Sequence, residues 1–419
     1  MPSPSTASLP RTRNPLGPRE FVTMMALMMA LNALAIDAML PALPQIAGAL
    51  RAPDANAQQH IITYYFIGLG VGSLLHGPLA DRFGRRAVIL WSLAGYVVSA
   101  LVSGLSGNWE MLLAMRVLHG LFGAAMGVVA TAVVRDRTSG DEMARLMSMI
   151  FLIFMVVPIV APTVGQAVLW VAPWRWIFLL LGLMGTGIAL WVWRRLPETL
   201  NPADAAPIRP ASLARNWWAV ATHRQAMAYM LGSSITVGAN FGFLNSSQQI
   251  ISGTFGRADI FTYAFASVAA GMAVANYSNS RLVLRFGARR VSQTAVCAFI
   301  LFSAVQCVLA LTGESLWVFL IVVGANMSMI GFIGANFSSI AMEPFGPIAG
   351  TASSFQNSAR TLISAAVGAF IGQMYDGSTA PLAVGYLVCG VGTLAIILWG
   401  ERGRLFTRPN PPHLPVPRS

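Results

Sequence analysis

The sequence predicts an all-α membrane protein with twelve transmembrane helices in two six-helix bundles related by pseudo-twofold symmetry. Three observations carry this. The chain is 56% hydrophobic and 10% charged, whereas a soluble domain carries about 25% charged residues. Its apolar residues fall into twelve runs of about twenty, long enough to cross a bilayer as helices. A short charged loop also recurs at half-length. DRFGRR (81–86) follows the second run and LRFGARR (284–290) follows the eighth, with Arg82 opposite Arg285.

The elements follow in order. Residues 1–20, rich in Pro, Ser and Arg, read as a disordered cytoplasmic tail. They lack a signal pattern, since the next apolar run is too long for an h-region and no small-residue cleavage site follows it. Spans 21–41, 59–79, 87–106, 110–133, 145–168 and 174–195 form an N-terminal bundle, 21–195. The longest internal polar segment starts at LPETLNPADAAPIRPASLARNWW and reads as a cytoplasmic linker, 196–221. Spans 222–250, 260–280, 290–311, 315–341, 348–374 and 380–400 form a C-terminal bundle, 222–400, and the Pro-rich residues 401–419 read as a second disordered tail. Gly and Pro inside several runs are tolerated in membrane helices.

Charge sets the orientation. All 27 basic residues are Arg and most lie in alternate loops. With the N-terminus inside, only Arg51, Arg175 and Arg257 lie outside, while Arg116 and Arg360 fall within spans. The positive-inside rule therefore puts both termini in the cytoplasm. The net charge of +12 forms no continuous basic stripe, so the partners expected are membrane lipids and not nucleic acid. Cys297, Cys307 and Cys389 sit in apolar runs without CxxC spacing, so neither a disulfide framework nor a metal site is expected. No GxxxxGK[ST] loop and no clustered His, Cys, Ser or acidic constellation occurs. The reading is a non-enzyme without cofactor, driven by an ion gradient. A monomer is expected.

A repeat at half-length is also a mark of secondary transporters, and several motifs sharpen this. GPLADRFGRR (77–86) resembles the loop motif of the major facilitator superfamily. More narrowly the chain resembles the bicyclomycin/chloramphenicol-resistance (Bcr/CflA) drug:proton antiporters of bacterial inner membranes. The supporting stretches are DAMLPALPQIA (37–47), RVLHGLFGA (116–124), ATAVVRD (130–136), PIVAPTVG (158–165), WRWIF (174–178), LPET (196–199) and EPFGPIAGTASS (343–354). One such match is weak; seven in order are strong. The resemblance implies that the 77–86 loop latches the two bundles on the cytoplasmic side. Gly77 and Gly84 allow close approach and a tight turn. Asp81 faces the end of a neighbouring helix, and Arg82, Arg85 and Arg86 pair with Asp136 or with lipid phosphates. The plainer reading is that the arginines only set topology. The second copy has Leu284 opposite Asp81, so its latch is expected to be weaker or differently built.

Charges inside a span cost at least ~2.5–3.5 kcal/mol on insertion scales and need a reason. Asp37 is the one acid well inside a span. It matches the family's acidic position and is assigned to proton coupling, the alternative being a brace for a helix broken before Pro41. Arg116, mid-span, must pair with an acid, bind an anion or engage helix carbonyls; the resemblance makes it the residue that tunes protonation of the acids. Arg360 either snorkels to the cytoplasm or counters a charge in the second bundle, and Glu343 is interfacial. Pro158, Pro162 and Gly165 resemble the antiporter motif that lets the bundles pack closely, although Ala161 and Gln166 stand where Gly is usual. A midplane pocket between the halves is assigned to Asn32, Tyr64, Tyr65, Asn240, Phe241, Asn245, Gln248, Tyr263 and Asn336, together with Asp37 and Arg116. The 21 Met and 22 Phe suit an adaptable apolar pocket, or simply face lipid. The function expected is proton-coupled export of small hydrophobic drugs; the alternative is proton-coupled import of a metabolite.

Overall fold

A computed structural model describes residues 16–138, 140–201 and 210–407. Among them are twelve helices of at least 20 residues: α1 Pro18–Asp37, α2 His60–Phe83, α3 Arg85–Gly104, α4 Trp109–Arg137, α5 Gly140–Val171, α6 Arg175–Arg195, α7 Arg224–Gln249, α8 Phe261–Phe286, α9 Ala288–Thr312, α10 Leu316–Met342, α11 Ala349–Gln373 and α12 Ala380–Gly400. Each coincides with one predicted span.

The duplication seen in the loops extends to the packing. α1 packs on α4, α5 and α6, and α7 packs on α10, α11 and α12. The pairs α2–α4, α3–α4 and α3–α6 recur as α8–α10, α9–α10 and α9–α12. The principal contacts between the halves, α2–α11 and α5–α8, are themselves exchanged by the same sixfold shift in helix number. The two Arg-Phe-Gly loops turn alike. Gly84 ends α2 at φ 94°, ψ 152°, and Gly287 ends α8 at φ 84°, ψ 151°, a conformation that only glycine adopts cheaply. This end of the molecule, where both loops lie, is the arginine-rich end; α2 and α8 start at the far end.

Nine of the described helical segments are long and apolar enough to cross a membrane on composition. The long helices outside that set are α2, α7 and α11. The reason is structural, because α11 packs on both α2 and α7 and these three turn polar side chains toward protein.

The ends hold more structure than their composition suggests. α1 begins at Pro18, inside the predicted 1–20 tail, whose residues 1–15 lie outside the described residues. The predicted first span, 21–41, stops at Asp37; a 3-10 turn at Leu40–Ala42 and a helix at Leu43–Ala49 follow, each with Pro in its first turn. In the linker, Pro210–Thr222 is helical and packs on α7 and α11, while 202–209 lie outside the description. Beyond α12 the chain is tied down at Phe406, whose backbone N–H donates to Gln293 (2.5 Å) and whose carbonyl accepts from Arg290 (2.9 Å). Residues 408–419 are not described.

Candidate functional site

Asp37 is the last residue of α1 and is 5% exposed. Among the described residues no hydrogen-bonding group or cation partners its carboxylate. The wall beside it is formed by α5, a helix carrying Pro158 and Pro162 in its interior. There Gly165 lies directly against Ala38, leaving no room for a Cβ before the Ala38 carbonyl. The close approach at Gly165 is therefore made within the first bundle. It fixes the end of α1 at Asp37, while α5 itself also packs across the bundles on α8.

Arg116 is fully buried in α4. Its Nε donates to the Ile61 carbonyl (3.0 Å), one Nη to the Ala35 carbonyl (3.0 Å) and the other to Nδ1 of His119 (3.2 Å). The guanidinium stands 4.5 Å over the Tyr65 ring. Of the three ways to hold this charge, the structure uses helix carbonyls, from α1 and α2. Arg116 approaches span one, two residues before Asp37, but makes no ion pair with it.

His119, which the sequence reading passed over, completes this cluster. It is buried, its Nε2 has no partner among the described residues, and its ring lies 4.1 Å from that of Tyr96. The i, i+3 spacing from Arg116 was the available signal, since it places both on one helix face. Asn32 accepts from the Tyr65 hydroxyl (2.6 Å) and donates to the Gly123 carbonyl (3.0 Å), and Tyr96 donates to the Leu31 carbonyl (3.2 Å). Asn32 and Tyr65 thus hold each other inside the first bundle.

At the arginine-rich end, Arg85 is the centre of the loop motif. Its guanidinium binds Asp81 (2.6 Å) and Asp136 (2.9 Å). Glu198 accepts from the backbone N–H groups of Arg85 (2.8 Å) and Arg86 (3.1 Å), a carboxylate at the positive end of α3. Thr199 also donates to Asp136 (3.2 Å). Arg86 donates to the Trp193 carbonyl (2.6 Å), and Arg82 lies exposed over Phe83. These bonds join α2, α3, α4 and the segment that follows α6. The loop's polar network lies within the first bundle; across to the second, Gly77 has only Ser354 nearby.

The second half repeats the arrangement with other acids. Arg289 binds Glu343 (2.9 Å) and Glu401 (3.1 Å). Glu401 also accepts from the Tyr229 hydroxyl (2.7 Å). With Leu284 opposite Asp81, the acids of this copy come instead from the ends of α10 and α12, and the network lies within the second bundle. Glu343 closes α10 as Asp136 lies near the end of α4, and Glu401 follows α12 as Glu198 follows α6.

The far end is sealed between the bundles by neutral amides. Asn56 donates to the carbonyls of Gln373 (3.1 Å) and Tyr375 (2.9 Å). Gln59, fully buried, donates to Gln249 (2.6 Å) and to the Gly372 carbonyl (2.9 Å). Gln249 in turn donates to Asn56 (2.8 Å) and to the Ala55 carbonyl (3.1 Å). Below this seal, the Phe66 and Phe241 rings stack across the bundles at 3.8 Å.

The pocket assignments divide accordingly. Phe241 lies at the bundle interface, as does Asn245, whose amide lies 3.5 Å from the Thr63 hydroxyl and whose Oδ1 is buried without a partner. Asn240 and Gln248 are half-buried on the same helix, and Tyr64 is half-buried beside His60. Asn336 is turned inward within the second bundle, donating to Asn279 (2.8 Å). Tyr263 departs from the expectation. It is 70% exposed and shares an outward stripe of α8 with Val274 and Tyr277, because the packed face of that turn is taken by Phe261 and Phe265.

Two related six-helix bundles, an unpartnered buried acid near their interface and polar ties at both ends define a polytopic membrane transporter. A sequence model of the Major Facilitator Superfamily matches residues 25–369. The chain is 30% identical to a bicyclomycin resistance protein homolog of Haemophilus influenzae, over 86% of this chain and 91% of that one. It is 29% identical to a chloramphenicol resistance protein of Pseudomonas aeruginosa, over 88% and 87%. The chain belongs to the major facilitator superfamily, and within it to the Bcr/CflA group. Solved structures share the fold: a human organic anion transporter (TM-score 0.64, 20% identity, 91% of this chain and 98% of that one) and a bacterial homologue of the human lysosomal transporter Spinster in an inward-facing conformation (TM-score 0.65, 16% identity, 92% and 95%).

Proposed function

We propose that this protein exports small hydrophobic drugs or antibiotics across the bacterial inner membrane in exchange for protons, with both termini in the cytoplasm. The observation that supports export is the end-to-end relation to two proteins named for drug resistance. Proton exchange rests on Asp37, a buried acid with no fixed partner among the described residues, at the end of α1 just before the Leu40–Ala42 turn that touches α7 of the second bundle. Such a group can take a proton from one side and release it to the other as access alternates. On this orientation the amide seal closes the outer face, and the Arg85 network lies on the cytoplasmic side. Substrate occupies the space flanked by Asn240, Phe241, Asn245 and Gln248 of α7, where apolar rings adapt to varied cargo.

The test is accumulation of a fluorescent cationic drug, such as ethidium, in a drug-sensitive bacterium expressing the protein. Export predicts lower steady-state accumulation than in the empty strain, restored to the empty-strain level by a protonophore. Unchanged accumulation for ethidium, chloramphenicol and bicyclomycin alike, with proton-linked uptake of a sugar or organic acid, would replace export by import.

A further inference from the structure

The second bundle holds a guanidinium that no acid among the described residues neutralises. Arg360 lies eleven residues into α11, midway along a 25-residue helix. It donates to the Ser338 hydroxyl (3.0 Å) and to Oδ1 of Asn357 (3.1 Å). Both partners are neutral, and an Arg carries five N–H donors. Among the described residues no carboxylate forms an ion pair with it. Arg360 is half-buried and faces into the protein, and a cation at mid-helix depth without a counter-charge is costly. Arg116, the other mid-span arginine, is answered by two helix carbonyls, an imidazole and an aromatic face; Arg360 has no such set.

Beside Arg360 is a cavity of about 80 Å³. It is lined by Ser233 of α7, Ser338 of α10 and Ser353, Gln356 and Asn357 of α11, together with Arg360, and none of its lining residues is acidic. The Ser233 hydroxyl is buried (1% exposed) and has no hydrogen-bond partner among the described residues. A free hydroxyl donor and a cation with spare N–H groups thus line one small cavity from two helices. The volume suits one small ion with a water or two, at ~30 Å³ per water, and is too small for a drug-sized molecule.

We propose that this cavity binds a small monovalent anion of chloride size, held by Arg360 with the Ser233 and Ser338 hydroxyls. The bound anion supplies the missing counter-charge and ties α7, α10 and α11 at a point that must hold together as the second bundle moves. The proposal does not rest on the direction of transport or on the identity of the cargo.

The test uses the purified full-length protein in detergent, with sodium chloride exchanged for sodium gluconate at fixed ionic strength. Binding to the folded state alone predicts a saturable rise of the unfolding midpoint, at least about 2 °C at saturation, reproduced by bromide. Arg360→Gln removes the dependence. If that variant does not fold, Ser338→Ala and Ser233→Ala, which remove one hydroxyl each, shift half-saturation upward by about fivefold, the worth of roughly 1 kcal/mol of hydrogen bond. A flat wild-type response, or a response unchanged in these variants, would overturn the proposal.

Discussion

Gly165 of α5 stands against Ala38, the residue that follows α1, so closely that any side chain at 165 would strike the Ala38 carbonyl. The residue before Ala38 is Asp37, the last of α1, so this contact positions the end of the helix that carries the acid proposed to exchange protons. Gly165→Ala must push the two helices apart, and overpacking of this kind costs about 1–3 kcal/mol. A lower unfolding midpoint and slower drug export are expected together. Gly187→Ala in α6, where a Cβ meets open space, is the control and should change neither.

Arg85 is nearly buried, but its two acids are not equivalent. The Asp81 side chain is 49% exposed and that of Asp136 only 17%. Exposed pairs contribute little, whereas breaking a buried pair leaves a charge unanswered. Asp136→Asn should therefore slow initial efflux by roughly tenfold and Asp81→Asn by less than about threefold. Equal losses from the two variants, measured at matched expression in vesicles, would show that burial does not rank them.

The seal at the far end has no ion pair and rests on neutral amides. Gln249→Ala deletes the donor to Asn56 and the acceptor for Gln59. A neutral hydrogen bond contributes about 1 kcal/mol net, or about fivefold in an opening equilibrium. In a background with Cys297, Cys307 and Cys389 replaced, a cysteine introduced at Thr63 should react about fivefold faster with a membrane-impermeant maleimide when Gln249 is Ala. An unchanged rate would mean that the seal is held by the Phe66–Phe241 stack below it.

Arg116 uses the planar fork of its guanidinium against acceptors on three sides. A lysine there offers a point charge that cannot reach all three. Charge-assisted hydrogen bonds contribute about 1.5–3 kcal/mol each. Arg116→Lys should lower the unfolding midpoint and reduce export by at least about tenfold, although the positive charge is kept. A variant transporting at the wild-type rate would assign Arg116 a purely electrostatic role.

The helices were legible because bilayer length and apolar runs set them, and the half-length repeat was legible because both loops keep Arg-Phe-Gly and turn on its glycine. What the sequence hid was where polar residues find partners. Asn32 and Tyr65 looked like pocket residues, yet they satisfy each other inside one bundle, a pairing across helices that no local pattern reveals. Tyr263 was misjudged because an aromatic near a helix start faces lipid as readily as protein. Glu198 and Glu401 sit in polar segments that read as loops, but each follows the sixth helix of its half and binds the start of the third. Extending the repeat past Arg82 and Arg285 would have exposed them. The break after Asp37 was signalled by Pro41, but the predicted first span ran on to residue 41, and the short helix at Leu43–Ala49 falls between the predicted spans.

The central claim is that Asp37 carries the proton exchanged for drug. Inverted membrane vesicles holding an imposed pH gradient, challenged with ethidium, chloramphenicol and bicyclomycin, test it directly by comparing wild type with Asp37→Asn. The account predicts that at least one compound dissipates the gradient in wild type and that Asp37→Asn abolishes this while the protein remains folded and inserted. Equal dissipation by wild type and Asp37→Asn would leave an antiporter whose proton travels elsewhere, and would contradict the role assigned to Asp37.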